Sequence, residues 1–172
     1  ESGHIKLTDF GLSQLFEKPK EGDSRGFAGT EEYSSPEVIT SNNYSKESDI
    51  WSYGVVLFSM FYKKLPFYSS NPIKTRKLIL EKEVEFPPKI KVKFDKNLNE
   101  VNHGQDLLQN LQFSPEDISS IITDLNEVIN ACLQKDPANR PTYEMLLKFK
   151  FFEKIDWTIL RGLKYSFNGI IN

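Results

Sequence analysis

The chain has 172 residues and a mass of 19.9 kDa, enough for one domain with a sizeable core or for a large piece of a bigger one. A formal net charge of −2 and a pI of about 5.8 exclude a global basic field that would attract nucleic acid or an anionic membrane. One cysteine, Cys132, and two distant histidines, His4 and His103, exclude a disulfide framework and a His/Cys zinc site, and fit a reducing intracellular setting, cytoplasmic or nuclear.

In chain order, Ile5, Leu7 and Phe10 alternate with polar residues, which predicts a short strand. Gly11 ends it with a residue free to take positive φ. From Leu12 to Pro36 the chain is rich in Gly, Ser, Glu and Pro, the composition of a long loop, and long loops inside compact domains are usually functional or disordered. Ser45 then stands as an N-cap, with Glu47 and Asp49 in a first turn where carboxylates favour the helix dipole. The following "DIWSYGVVLFSMFYKK" is apolar on nearly every face, which predicts a helix buried in an all-helical core, with Gly54 admitting another backbone. This is also the longest apolar run. Ser and Gly interrupt it, and it is shorter than the roughly 20 residues a bilayer crossing needs, so no membrane span is expected. No leading basic-then-apolar segment suggests a signal peptide, and a start at Glu1 fits a piece of a longer protein.

Asn71 and Pro72 open a second helix through about Lys82, closed by "EFPP". Residues 88–113 read as an insert or long loop, in which "KIKVKF" suits either a half-buried edge strand or an ordered loop. Lys89, Lys91 and Lys93 are expected to form a solvated face rather than a docking patch. Ser114 and Pro115 then begin a helix with Asp117 in its first turn. Ile118, Ile121, Ile122, Leu125, Val128, Ile129, Cys132 and Leu133 form one apolar stripe along it, which makes Cys132 a buried, inert thiol. Asp136 and Pro137 stop the helix. A further helix is predicted from about Thr142 to Lys150, followed by the aromatic tail "FFEKIDW", expected to fill the core. There are no internal repeats.

A strand, an Asp and a Gly are a weak signal alone. Here they are followed in order: "DFG" at 9–11, "GTEEYSSPE" at 29–37, "SDIWSYGVVL" at 48–57 and "DPANRPT" at 136–142. In order and spacing these motifs resemble the C-terminal lobe of a eukaryotic protein kinase, over nearly the whole chain except 88–113. The resemblance implies a mainly α fold, the C-terminal lobe of the protein kinase-like fold, with a short β-hairpin region at its N-terminal end. Residues 1–172 would then be one partial domain. It implies ATP and Mg²⁺ as cofactors and a protein as substrate, with the oligomeric state open. Mg²⁺ takes hard oxygen ligands, and Asp9 is the implied catalytic carboxylate and metal ligand. Phe10 and Gly11 complete that cofactor site, Gly11 as hinge and Phe10 as an inward-packing anchor. Thr30, Glu32 and Tyr33 are the implied pocket for the substrate residue beside the phosphate acceptor, and the Gly-Thr pair implies Ser/Thr specificity. Glu37 and Arg140 are implied to form a buried structural ion pair, for which the planar guanidinium fork suits a carboxylate. Asp49 is implied to hydrogen-bond the backbone of the catalytic loop, a role compatible with a dipole-favoured carboxylate at a helix start.

"GHIKLTDFGLS" and "FFEKIDWTILR" together resemble the AGC group, and within it the first stretch is most similar to the microtubule-associated and Greatwall-like kinases. Two positions depart from that group. Gly26 occupies the usual place of the activating phospho-threonine, with Ser24 nearby but shifted, so phosphate-dependent ordering of this loop lacks its acceptor. Ser59 occupies a place where many kinases with basic substrates carry Glu, although Glu31 and Glu32 offer local negative charge. The Gly-rich loop, the strand lysine and the catalytic loop would all precede Asp9, so the polypeptide by itself is expected not to turn over. The competing reading is a non-catalytic, pseudokinase-like binding module. The intact DFG favours the enzyme, because a scaffold needs no metal carboxylate.

Overall fold

The computed structural model describes residues 6–13, 29–87, 115–153 and 155. Among these residues the architecture is helical, without strands. Residues 6–9 have no regular structure and lead into a 3-10 turn at Phe10–Leu12. A strand exists only as part of a ladder, and no partner is present among the described residues, so the alternation around Leu7 does not produce one there. Ile5, "KIKVKF" and Ser114 lie outside the described residues.

A second 3-10 turn at Glu31–Tyr33 leads into helix α1, Pro36–Ser41, with Pro at the position where its missing N–H costs nothing. Asn42 ends α1 in the left-handed conformation, φ 50°. Helix α2, Lys46–Tyr62, opens with a reciprocal cap: Ser48 N–H donates to Ser45 Oγ, and Ser45 N–H donates to Ser48 Oγ. Helix α3, Pro72–Glu81, is capped by Asn71, whose Oδ1 accepts from the amides of Ile73 and Lys74. Helix α4 spans Pro115–Cys132, and a 3-10 turn follows at Pro137–Asn139.

The core forms where α2 crosses α4. Trp51, Val55 and Phe58 of α2 meet Leu125, Ile129 and Leu133, with Phe67 and Ile79 closing the cluster. Gly54 sets the separation. A Cβ built there would lie 2.6 Å from Cys132 Cβ and 3.1 Å from Leu133 Cδ2, inside van der Waals contact, so only hydrogen fits. Phe67 stacks on Trp51 with ring centroids 5.6 Å apart. Over both rings lies the ammonium of Lys135, which also donates to Ile79 O at 2.8 Å and so ties the end of α3 to the core. Burial pushes that lysine down to about 8.

Two expectations are corrected. Helix α2 is not buried all round: Tyr53, Val56 and Met60 are exposed, because the described residues cover only one of its faces. The single helix expected over Thr142–Lys150 is instead two short ones, α5 at Tyr143–Leu146 and α6 at Lys150–Glu153. Between them the bonds tighten to three-residue closures, Lys148 N–H to Met145 O and Phe149 N–H to Leu146 O. That turn brings Phe149, Phe151 and Phe152 against Val128, Cys132 and Leu146, so this part of the aromatic tail does fill a second cluster.

Candidate functional site

Asp9 is exposed and sits in the left-handed region, φ 61° and ψ 66°, with no side-chain capping bond to the turn behind it. The positive φ expected at Gly11 therefore falls on Asp9. Aspartate tolerates this conformation better than most residues, and such strain gathers at functional positions. A Cβ on Gly11 would lie 3.4 Å from Asp9 Oδ1, so glycine leaves that side of the carboxylate uncrowded. Phe10 is 65% exposed and belongs to neither apolar cluster, which overturns its expected inward packing: no described residue covers it.

As donors for Mg²⁺, these residues offer one hard oxygen group. No group of three or more acidic, His or Cys side chains gathers among the described residues. A single free carboxylate nevertheless fits that ion, which keeps several waters and takes one or two protein carboxylates alongside substrate phosphates.

The segment from Gly29 to Glu37 is braced from three sides. Gly29 enters it at φ 119°, a conformation that L side chains rarely adopt. Thr30 is exposed, and its carbonyl accepts Tyr33 N–H at 3.1 Å. Tyr33 packs its ring on the main core while its carbonyl accepts Ser52 Oγ–H from α2 at 2.9 Å. Glu31 meets Arg76 of α3 in a two-bond fork, 2.7 Å from Nε to Oε1 and 2.9 Å from Nη2 to Oε2. Glu32 makes no side-chain hydrogen bond or ion pair among the described residues. The turn thus brings Thr30, Glu32 and Tyr33 together, whereas Asp9 is separated from it in sequence by residues outside the description.

At the far end of the segment, Glu37 and Arg140, 103 positions apart, form a second fork. Nη1 lies 2.7 Å from Oε1 and Nη2 2.8 Å from Oε2. The remaining donors of Arg140 reach the carbonyls of Gln134, Glu47 and Lys135, and the guanidinium lies 5.1 Å from the Trp51 ring centre. Burial opposes the Glu37 charge, but hydrogen bonds, led by those from Arg140, outweigh it and hold the carboxyl below its usual range. Close by, Ser35 Oγ and Trp51 Nε1 are buried without a hydrogen-bond partner among the described residues.

Asp49 occupies the first turn of α2, where burial raises its pKa. Its carboxylate has no hydrogen bond among the described residues. Cys132 is fully buried, and burial pushes its thiol up to about 12. Gly26 and Ser24 lie outside the described residues, as do Lys89, Lys91 and Lys93. Arg76 was invisible to sequence reasoning: an arginine inside a short helix 45 positions from its partner has no local pattern to mark it. The only hint was Glu31 standing next to Glu32, two carboxylates whose mutual repulsion calls for a cation.

A family model described as protein kinase domain matches residues 1–152. The chain is 45% identical to RAC-beta serine/threonine-protein kinase of Rattus norvegicus over 92 residues, covering 51% of this chain and 18% of that protein. It is 42% identical to cAMP-dependent protein kinase type 3 of Saccharomyces cerevisiae, covering 51% of this chain and 21% of that protein. It is 32% identical to ribosomal protein S6 kinase alpha-1 of Homo sapiens, covering 99% of this chain and 20% of that protein. The chain thus spans about a fifth of the length of these relatives.

Proposed function

The chain belongs to the protein kinase domain family, and on that premise we propose that it is the C-terminal lobe portion of a Ser/Thr protein kinase, which transfers the γ-phosphate of ATP to protein hydroxyls. The observation that carries this reading is the state of Asp9: exposed, strained and not spent on a local cap. A turn or capping aspartate would use its oxygens on nearby amides.

In this reading Asp9 holds Mg²⁺ through a carboxylate oxygen. When bound, the ion neutralises the β- and γ-phosphate oxygens. Thr30, Glu32 and Tyr33 receive the substrate chain beside the acceptor residue. Their turn is kept in place by Ser52 of α2 on one side and Arg76 of α3 on the other, with the Glu37–Arg140 fork at the far end of the segment, so position is fixed before the substrate arrives. Asp49, in the first turn of α2, is the residue that would hydrogen-bond the backbone of a catalytic loop. An AGC-like group is the finer assignment, supported by the likeness to the RAC-beta and S6 kinases, and the microtubule-associated and Greatwall-like branch rests on the stretch "GHIKLTDFGLS" alone. An intracellular setting, cytoplasmic or nuclear, accords with a lone buried thiol.

One observation favours a non-catalytic binding module instead, the exposed apolar face of Tyr53, Val56 and Met60 on α2. Substitution of Asp9 decides between the two. In the full-length protein carrying these residues, Asp9→Ala is expected to lower phosphate transfer to a generic protein substrate by about 10²-fold or more while the melting temperature holds. Undiminished transfer in that variant removes the metal role, and absence of transfer in the unsubstituted protein favours the module.

A further inference from the structure

The fork between Arg76 and Glu31 joins the 3-10 turn to α3 across 45 positions of sequence. Glu31 is the first residue of the 3-10 turn, and Arg76 sits inside α3. The Glu31 side chain is 19% exposed and that of Arg76 is 57% exposed, so the carboxylate is mostly covered while the guanidinium keeps one side in water. Two parallel N–H···O bonds fix the plane of the carboxylate as well as its place, which a single lysine contact would not do. The turn that carries Glu31 closes through two backbone bonds: Tyr33 N–H donates to Thr30 O at 3.1 Å, and Ser34 N–H donates to Glu31 O at 3.0 Å. On the opposite side Ser52 holds the carbonyl of Tyr33. The turn is therefore gripped between α2 and α3.

The fork also redistributes charge. Glu31 and Glu32 side by side would present two carboxylates to a cationic side chain, but the guanidinium already answers one of them. Glu32, half-buried and without a partner among the described residues, is what remains. We propose that Arg76 is a positioning and specificity-determining residue: it locks the 30–33 turn to α3 and withdraws Glu31 from recognising basic substrate side chains, leaving Glu32 as the carboxylate that does so. This rests on reading the turn as the substrate-binding segment.

The test uses the full-length protein with Arg76→Ala, Glu31→Gln and the charge-exchanged double variant Glu31→Arg/Arg76→Glu. Hydrogen exchange at the amides of Tyr33 and Ser34 is expected to quicken about fivefold in each single variant, the scale of a well-formed exposed pair, and to return towards the original rate in the exchanged pair. Unchanged exchange in both single variants overturns the lock. Two peptides differing only in Arg or Ala beside the acceptor residue read the charge effect. In Arg76→Ala the Arg-to-Ala ratio of kcat/KM is expected to rise about fivefold through KM, whereas in Glu31→Gln it does not rise, because only the first variant frees a carboxylate. A ratio that stays constant in Arg76→Ala, or that rises equally in both, overturns the specificity role. If the unsubstituted protein phosphorylates neither peptide, the kinase reading fails by itself. The exchange rates still decide the lock, and peptide binding followed by fluorescence anisotropy decides the charge effect.

Discussion

Two arginine–carboxylate forks brace opposite ends of the same segment, with nearly the same geometry and opposite surroundings. Arg140 is wholly buried against Glu37 and gives its spare donors to backbone carbonyls from two parts of the chain. Arg76, by contrast, leans out from α3 with more than half its side chain in water. The comparison teaches that bond lengths do not rank ion pairs. Water removes most of the Coulomb attraction at the exposed fork, while at the buried one each partner would be stranded without the other. The buried fork thus serves as architecture, and the exposed one is open to adjustment.

The strongest challenge to this contrast is removal of the buried arginine. Arg140→Ala is expected to cost about 3–5 kcal/mol, because it leaves Glu37 charged and buried and frees the carbonyls of Gln134, Glu47 and Lys135. Chemical denaturation measures it, and a loss no larger than that of Arg76→Ala would erase the distinction. Arg140→Lys should recover little of it, since a point charge cannot span both carboxylate oxygens.

A smaller effect is expected from acid. The Glu37 carboxyl is held below its ordinary value of 4.5, so its contribution to stability is complete above that pH and is lost as the pH falls through the lower folded-state value. Denaturation midpoints followed downward from pH 5 should decline, and Glu37→Gln should flatten the part of that decline which this carboxyl causes.

The smallest effect sharpens the picture of the buried end. Ser35 Oγ is buried beside this fork without a hydrogen-bond partner among the described residues. Ser35→Ala is expected to be neutral or to stabilise by up to about 1 kcal/mol, because it removes an unsatisfied hydroxyl. A clear loss in the melting profile would mean that the hydroxyl has a partner, such as an ordered water.

Helices α2, α3 and α4 were legible in the sequence because each announces itself locally: Ser45, Asn71 and Pro115 at the starts, and an apolar stripe from Ile118 to Leu133. What the sequence concealed is non-local. Periodicity cannot tell a helix covered on all faces from one whose Tyr53 and Met60 face water, since the covering residues are elsewhere. The break between α5 and α6 has no Gly or Pro to mark it and follows from the docking of Phe152 against Val128 and Cys132. At the site, Glu37 and Arg140 were paired only through family likeness, and Arg76 escaped because charged residues on exposed helix faces are ordinary. The exposure of Phe10 ran against its chemistry for the same reason: an aromatic side chain packs only where something is present to receive it.

The missing methyl at Gly54 has a further consequence. By letting α4 settle at Cys132, it seals the chain's one thiol beneath two helices, so alkylating reagents reach that sulfur only when the helices part. The rate at which the protein takes up such a label is therefore a stopwatch for the opening of its central joint, readable without adding a probe.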